Sequence, residues 1–81
     1  MNFDDAYCNY IKGMILVDLG DYSGAINSFS RAININPKEP EYLIERGFAK
    51  YYNDENGCED WSKAGELGEY DAYNYIKEYC K

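Results

Sequence analysis

Apolar residues recur along this chain at intervals of three and four, the spacing of one helix face. Tyr7, Tyr10, Met14 and Val17 form one such series, with Ile11 and Ile15 beside it. It ends in "LGDY" (19–22), where Gly20 suits a helix C-terminus and Asp21 can cap the next helix. A second series, Ala25, Ile26, Phe29, Ala32 and Ile33, closes at "NINPKEP" (34–40). Pro37 cannot continue a helix, and Pro40 fits a first turn. A third runs from about Glu41 through Leu43, Ile44, Gly47, Phe48 and Tyr51 to the turn-forming "NDENG" (53–57). Cys58, Trp61, Ala64 and Leu67 make a fourth that stops at Gly68, and Ala72, Tyr73, Tyr75, Ile76, Tyr79 and Cys80 make a fifth. No stretch alternates with the period of two that marks strands. The pattern predicts an all-α protein of five short helices, with antiparallel neighbours joined by tight turns.

Two of these hairpins are written alike. Gly13 in "YIKG" and Gly47 in "IERG" lie 34 residues apart. Phe29-Ser30-Arg31-Ala32 matches Trp61-Ser62-Lys63-Ala64, 32 residues on. The second copy is two residues shorter, and the loss falls in the turn around "NDEN". Gly13, "LGDY", Ala25, Phe29, Ala32 and Pro37 stand at the spacing of the tetratricopeptide repeat, and the chain resembles that family over roughly residues 6–68. "CEDWSKAGELG" (58–68) is also similar to the Sel1-like relatives of the family. Asn9, Lys12 and Leu16 depart from the family pattern in the first helix, as do Gly57 and Gly65 in the second copy. The resemblance implies one domain over 1–81. Repeat one would span about 6–38 and repeat two about 39–68, with a capping helix at about 70–80.

Paired helices approach closely where side chains are small. Gly13, Ala25 and Ala32 are expected to serve in the first hairpin, and Gly47, Gly57 and Ala64 in the second. Phe29 and Trp61 are expected to fill the space beside them, with Ile15 in the same buried seam. Ala72, Ile76 and Tyr79 should cover the open side of the last hairpin.

The charge narrows the partners. The chain has 15 acidic and 8 basic residues, a net charge of −7. Residues 39–81 hold 11 of the acids and 5 of the bases. That field repels a phosphate backbone, so a nucleic-acid partner is not expected, and basic or apolar segments are favoured. "MNFDDAYCNY" lacks the basic start and apolar run of a secretory leader, and no apolar run is long enough for a bilayer. A cytoplasmic location is expected. Cys8, Cys58 and Cys80 have no metal-type spacing and are expected as free thiols. If helices four and five are antiparallel, Cys58 and Cys80 come to one level as neighbours, and a bond between them under oxidation would require Cα atoms within roughly 7 Å.

Chemistry of other kinds finds little support. The acids Asp54, Glu55, Glu59 and Asp60 do not have the oxygen pattern of a calcium loop. They are expected to complement the dipole of the fourth helix. No histidine is present, no cysteine has a base beside it, and no glycine-rich phosphate loop precedes a helix. No metal, cofactor or catalytic residue is expected.

The resemblance implies that the first helix of each pair lines a concave face. On that face the sequence places Tyr7, Tyr10, Met14 and Asp18 from the first helix, and Ile44, Phe48, Tyr51 and Tyr52 from the third. These are the expected partner-binding residues. The face lacks the basic and amide groups with which related repeats clamp a terminal carboxylate, so a chaperone tail is not the expected ligand. The expected function is a non-catalytic protein- or peptide-binding module. The alternative is self-association of the same face into a homo-oligomer.

Overall fold

In the computed structural model, which describes residues 3–80, five helices follow one another: α1 (Phe3–Asp18), α2 (Tyr22–Ile35), α3 (Pro40–Tyr52), α4 (Cys58–Glu66) and α5 (Ala72–Tyr79). The described residues contain no strand. Each helix packs on the next, so α1–α2 and α3–α4 are stacked hairpins and α5 lies against α4. The boundaries follow local chemistry. Gly20 adopts φ +80°, a conformation that would strain most side chains, and Asp21 Oδ1 accepts from the Gly24 N–H at 3.0 Å to start α2. Pro40 sits in the first turn of α3. Gly57, which starts α4, has no side chain to cap with, and Asn56 Oδ1 accepts from the Cys58 N–H at 2.8 Å beside it.

The two copies share one packing device. A Cβ on Gly13 would fall 2.5 Å from the Phe29 ring, and one on Gly47 would fall 2.5 Å from the Trp61 indole. Each glycine is thus the seat of the large side chain opposite, as the repeat spacing predicts. Phe29, Trp61, Ala25, Ala32 and Ala64 are buried. Gly57 fills its role against the backbone of Gly47 itself. The Trp61 indole N–H donates to the Ile44 carbonyl at 3.2 Å, which satisfies its one polar atom in the core. On the far side α5 buries Ala72, packs Ile76 and Tyr75 against the cluster of Leu43, Ile44, Trp61 and Ala64, and lays Tyr73 over Gly65. Tyr79 only partly fulfils its expected covering role, with its ring 5.8 Å from Trp61 and much of it in solvent.

Four expectations need correction. Ile15 is 54 % exposed rather than buried. It stands at the position 34 residues before Ala49, which packs on Ala25 and Phe29, but among the described residues nothing covers the equivalent face of α1. Leu67 follows the end of α4 and is exposed, so it does not continue the buried series of Trp61 and Ala64. Asp60 is not a solvent-facing acid of a helix first turn. It is 2 % exposed and held by a fork from Arg46, Nε to Oδ2 at 2.8 Å and Nη2 to Oδ1 at 2.7 Å. Lys50 Nζ lies 3.4 Å from Oδ2, and Arg46 Nη1 donates to Ser30 Oγ at 3.1 Å, so one guanidinium ties α2, α3 and α4 together.

The fourth correction concerns the thiols. Cys58 and Cys80 are at one level, with Cα atoms 6.1 Å apart, and they are joined in a disulfide; Cys8 is free and exposed. The bond closes the segment from α4 to the end of α5 and therefore restricts the unfolded chain. A loop of this size is worth about 3 kcal/mol. Reduction with dithiothreitol, or the pair Cys58→Ser and Cys80→Ser, should lower the melting temperature by more than about 10 °C. An unchanged melting curve under reducing conditions would remove the bond from the account of stability.

Candidate functional site

The site is built by α1 and α3, the first helices of the two hairpins, with α5 continuing the row. Between α1 and α3 runs a groove of about 240 Å³ lined by Met14, Val17, Glu45, Phe48, Ala49 and Tyr52. Met14 and Val17 are one turn apart on α1, and Glu45, Phe48, Ala49 and Tyr52 follow three- and four-residue steps on α3, so each helix offers a single stripe. Phe48 and Tyr52 are stacked, with ring centroids 6.5 Å apart. Tyr52 also meets Tyr22 of α2, with ring centroids 5.4 Å apart.

Phe48 has a second allegiance. Its ring makes edge contacts to Trp61 at 5.1 Å and Tyr75 at 4.9 Å, so one side belongs to the core and the other to the groove. Beyond it Tyr79 and Tyr51 stand 5.0 Å apart, beside a wider hollow of about 530 Å³. That hollow is formed by residues 54–57, Trp61 and the disulfide. Its walls mix backbone and acids with rings, and it lies at the far end of the aromatic row from Met14.

Of the residues placed on this face from the sequence, Met14, Phe48 and Tyr52 converge on the groove. Tyr51 faces the second hollow. Tyr10 is half-buried, 5.0 Å from Tyr42 and 6.0 Å from Phe29, and Tyr7 is exposed on the next turn. Ile44 is buried with Leu43 and Trp61, which leaves its side chain little surface to offer. Asp18 is exposed at the end of α1 and does not line the groove. Sequence reasoning did not assign Glu45 and Ala49 to this site. The signal was available, since both lie one step from Phe48 on the α3 face that meets α1.

The electrostatics are acidic. Burial, followed by the charges of Glu41 and Glu45, pushes the Tyr10 phenol up to about 12. Burial, and then Glu41, holds the Glu45 carboxyl above the ordinary carboxylate range. Asp54, Glu55 and Glu59 do not gather around a common point with Asp60, and no group of acidic or sulfur side chains among the described residues is arranged to hold a metal ion. No helix among them is long and apolar enough to cross a membrane.

A family model described as TPR repeat matches residues 13–54, just over half of the chain. Neither a curated protein nor a solved structure matches it.

Proposed function

The chain belongs to the tetratricopeptide repeat family, whose members generally mediate protein–protein interactions, and we propose that it is a small non-catalytic module that holds a protein or peptide segment on the face of α1 and α3. The observation that carries this reading is the groove itself: Met14, Val17, Phe48 and Tyr52 present apolar surface in a concavity, where contact with a partner removes it from water. Tyr7, Tyr10 and Tyr51 extend the surface along the two helices, and Asp18 borders it. Ile44 supports it from within. A cytoplasmic location belongs to the same reading, with the Cys58–Cys80 bond the one feature that a reducing solvent opposes.

Selection of a displayed library of random 12-residue peptides on the purified protein tests this function. Binders should emerge, and the double variant Met14→Ala, Tyr52→Ala should weaken them by about 2 kcal/mol or more. Binders that the double variant retains at full strength would contradict a role for this groove.

Self-association is a second reading, and one observation favours it. Ile11 and Ile15 of α1 and Leu19, just past its end, are exposed, Leu19 at 75 %. They are not the residues of the concave face expected to pair with itself. Sedimentation over a wide concentration range separates the readings: a dimer abolished by Ile15→Glu supports self-association, and a monomer throughout removes it.

A further inference from the structure

The α1–α3 groove is apolar except at one point. Met14, Val17, Phe48, Ala49 and Tyr52 form its walls, and the remaining lining residue is Glu45. Its carboxylate has no hydrogen bond and no ion pair among the described residues, although it is half-buried. The two basic residues of α3 cannot serve it, because Arg46 and Lys50 are both committed to Asp60 on the side facing α4. Glu41, one turn away, adds a second negative charge, and the Tyr10 phenol on α1 stays protonated beside them. The free protein thus keeps an uncompensated anion at the edge of an apolar slot.

A long side chain with an apolar stem and a cationic tip matches that arrangement. The stem replaces water against Met14 and Val17. The tip supplies the missing counter-charge, and the rings of Phe48 and Tyr52 add attraction for a cation beside them. The excess of acids over bases in residues 39–81 draws such a segment toward this face. Resting on the proposal that α1 and α3 form the binding face, we infer that the groove selects a peptide segment by a lysine or arginine side chain, held through its stem by Met14 and Val17 and through its charge by Glu45.

The variant Glu45→Gln tests this without endangering the fold. A carboxyl whose folded-state pKa is raised binds its proton more tightly in the native than in the unfolded chain. Stability is therefore lost as pH rises from the unfolded to the folded value. The glutamine variant should melt at or above the parent temperature at pH 7, and the difference should vanish below the ordinary carboxylate range. The probe is the displayed random 12-residue library, selected in parallel on the parent, on Glu45→Gln and on Glu69→Gln, which makes the same charge change in the exposed turn before α5. Parent and Glu69→Gln should enrich peptides with lysine or arginine beside apolar residues. Glu45→Gln should lose that enrichment, and a synthesised parent-selected peptide should bind it about tenfold or more weakly. Replacing the basic residue of that peptide by norleucine should cost the parent a similar factor and Glu45→Gln little. Cation-free binders on the parent, or equal enrichment on Glu45→Gln, would overturn the inference while leaving the groove as a binding face. No enrichment on any of the three proteins would overturn the groove itself.

Discussion

Removal of residues 69–81 should leave a chain that aggregates or is largely unfolded at room temperature. The deleted segment contains α5, and three separate attachments go with it. Ala72, Ile76 and Tyr75 leave the Trp61–Leu43–Ile44 cluster, Tyr73 leaves its seat on Gly65, and Cys58 loses its disulfide partner. Large apolar side chains contribute roughly 1.5–3 kcal/mol each when buried, and the cross-link about 3 kcal/mol. A small domain has only about 5–15 kcal/mol in total. Two helical hairpins also leave the outer side of α4 uncovered, so the exposed Trp61 and Phe48 favour association between chains. Circular dichroism during heating should show no cooperative transition for the truncated protein. A transition as sharp and as high as that of the full chain would deny α5 its capping role.

Arg46→Ala should destabilise the protein by about 3–5 kcal/mol, because it strips a buried carboxylate of its fork and leaves it only the longer Lys50 contact. The cost comes mainly from the stranded Asp60, not from the value of the pair. A second substitution therefore distinguishes this cause from lost packing: Asp60→Leu placed on Arg46→Met should recover most of the loss. Urea unfolding measures both. A loss below about 1 kcal/mol for Arg46→Ala, the level of an exposed surface pair, would mean that the fork contributes little.

The helices were legible because their determinants are local. Three- and four-residue spacing, Asp21, Pro40 and the glycines at the turns fix where each begins and ends, and the 34-residue offset between Gly13 and Gly47 pairs each glycine with its ring. Asp60 was misread because an acid near a helix start has a sufficient local explanation. What makes it different is Arg46, fourteen residues earlier, which faces it only once α3 and α4 are antiparallel. Ile15 was misplaced for the reverse reason: its apolar character fits a seam, but the seam needs a neighbouring hairpin that the described residues do not supply. The level of Cys58 and Cys80 followed from helix register, whereas their oxidation did not, since spacing carries no information about redox state.

The candidate site divides along the same line. Met14, Phe48 and Tyr52 could be grouped because a stripe on the first helix of each stacked hairpin faces the same side. Ile44 belongs to a neighbouring stripe of α3 that turns inward to Trp61, a rotation of one residue that periodicity alone does not resolve. Glu45 escaped notice because a glutamate on a helix surface is ordinary until its cationic neighbours are seen to be engaged elsewhere.

The central claim is that partners bind between α1 and α3. Amide chemical-shift mapping by NMR, as a library-selected peptide is titrated into labelled protein, tests it most directly. The account predicts that the largest shifts cluster at Met14, Val17, Glu45, Phe48 and Tyr52, with Ile11, Ile15 and Leu19 unmoved. Shifts centred on those three residues, or on the hollow beside Cys58 and Cys80, with the groove silent, would contradict it.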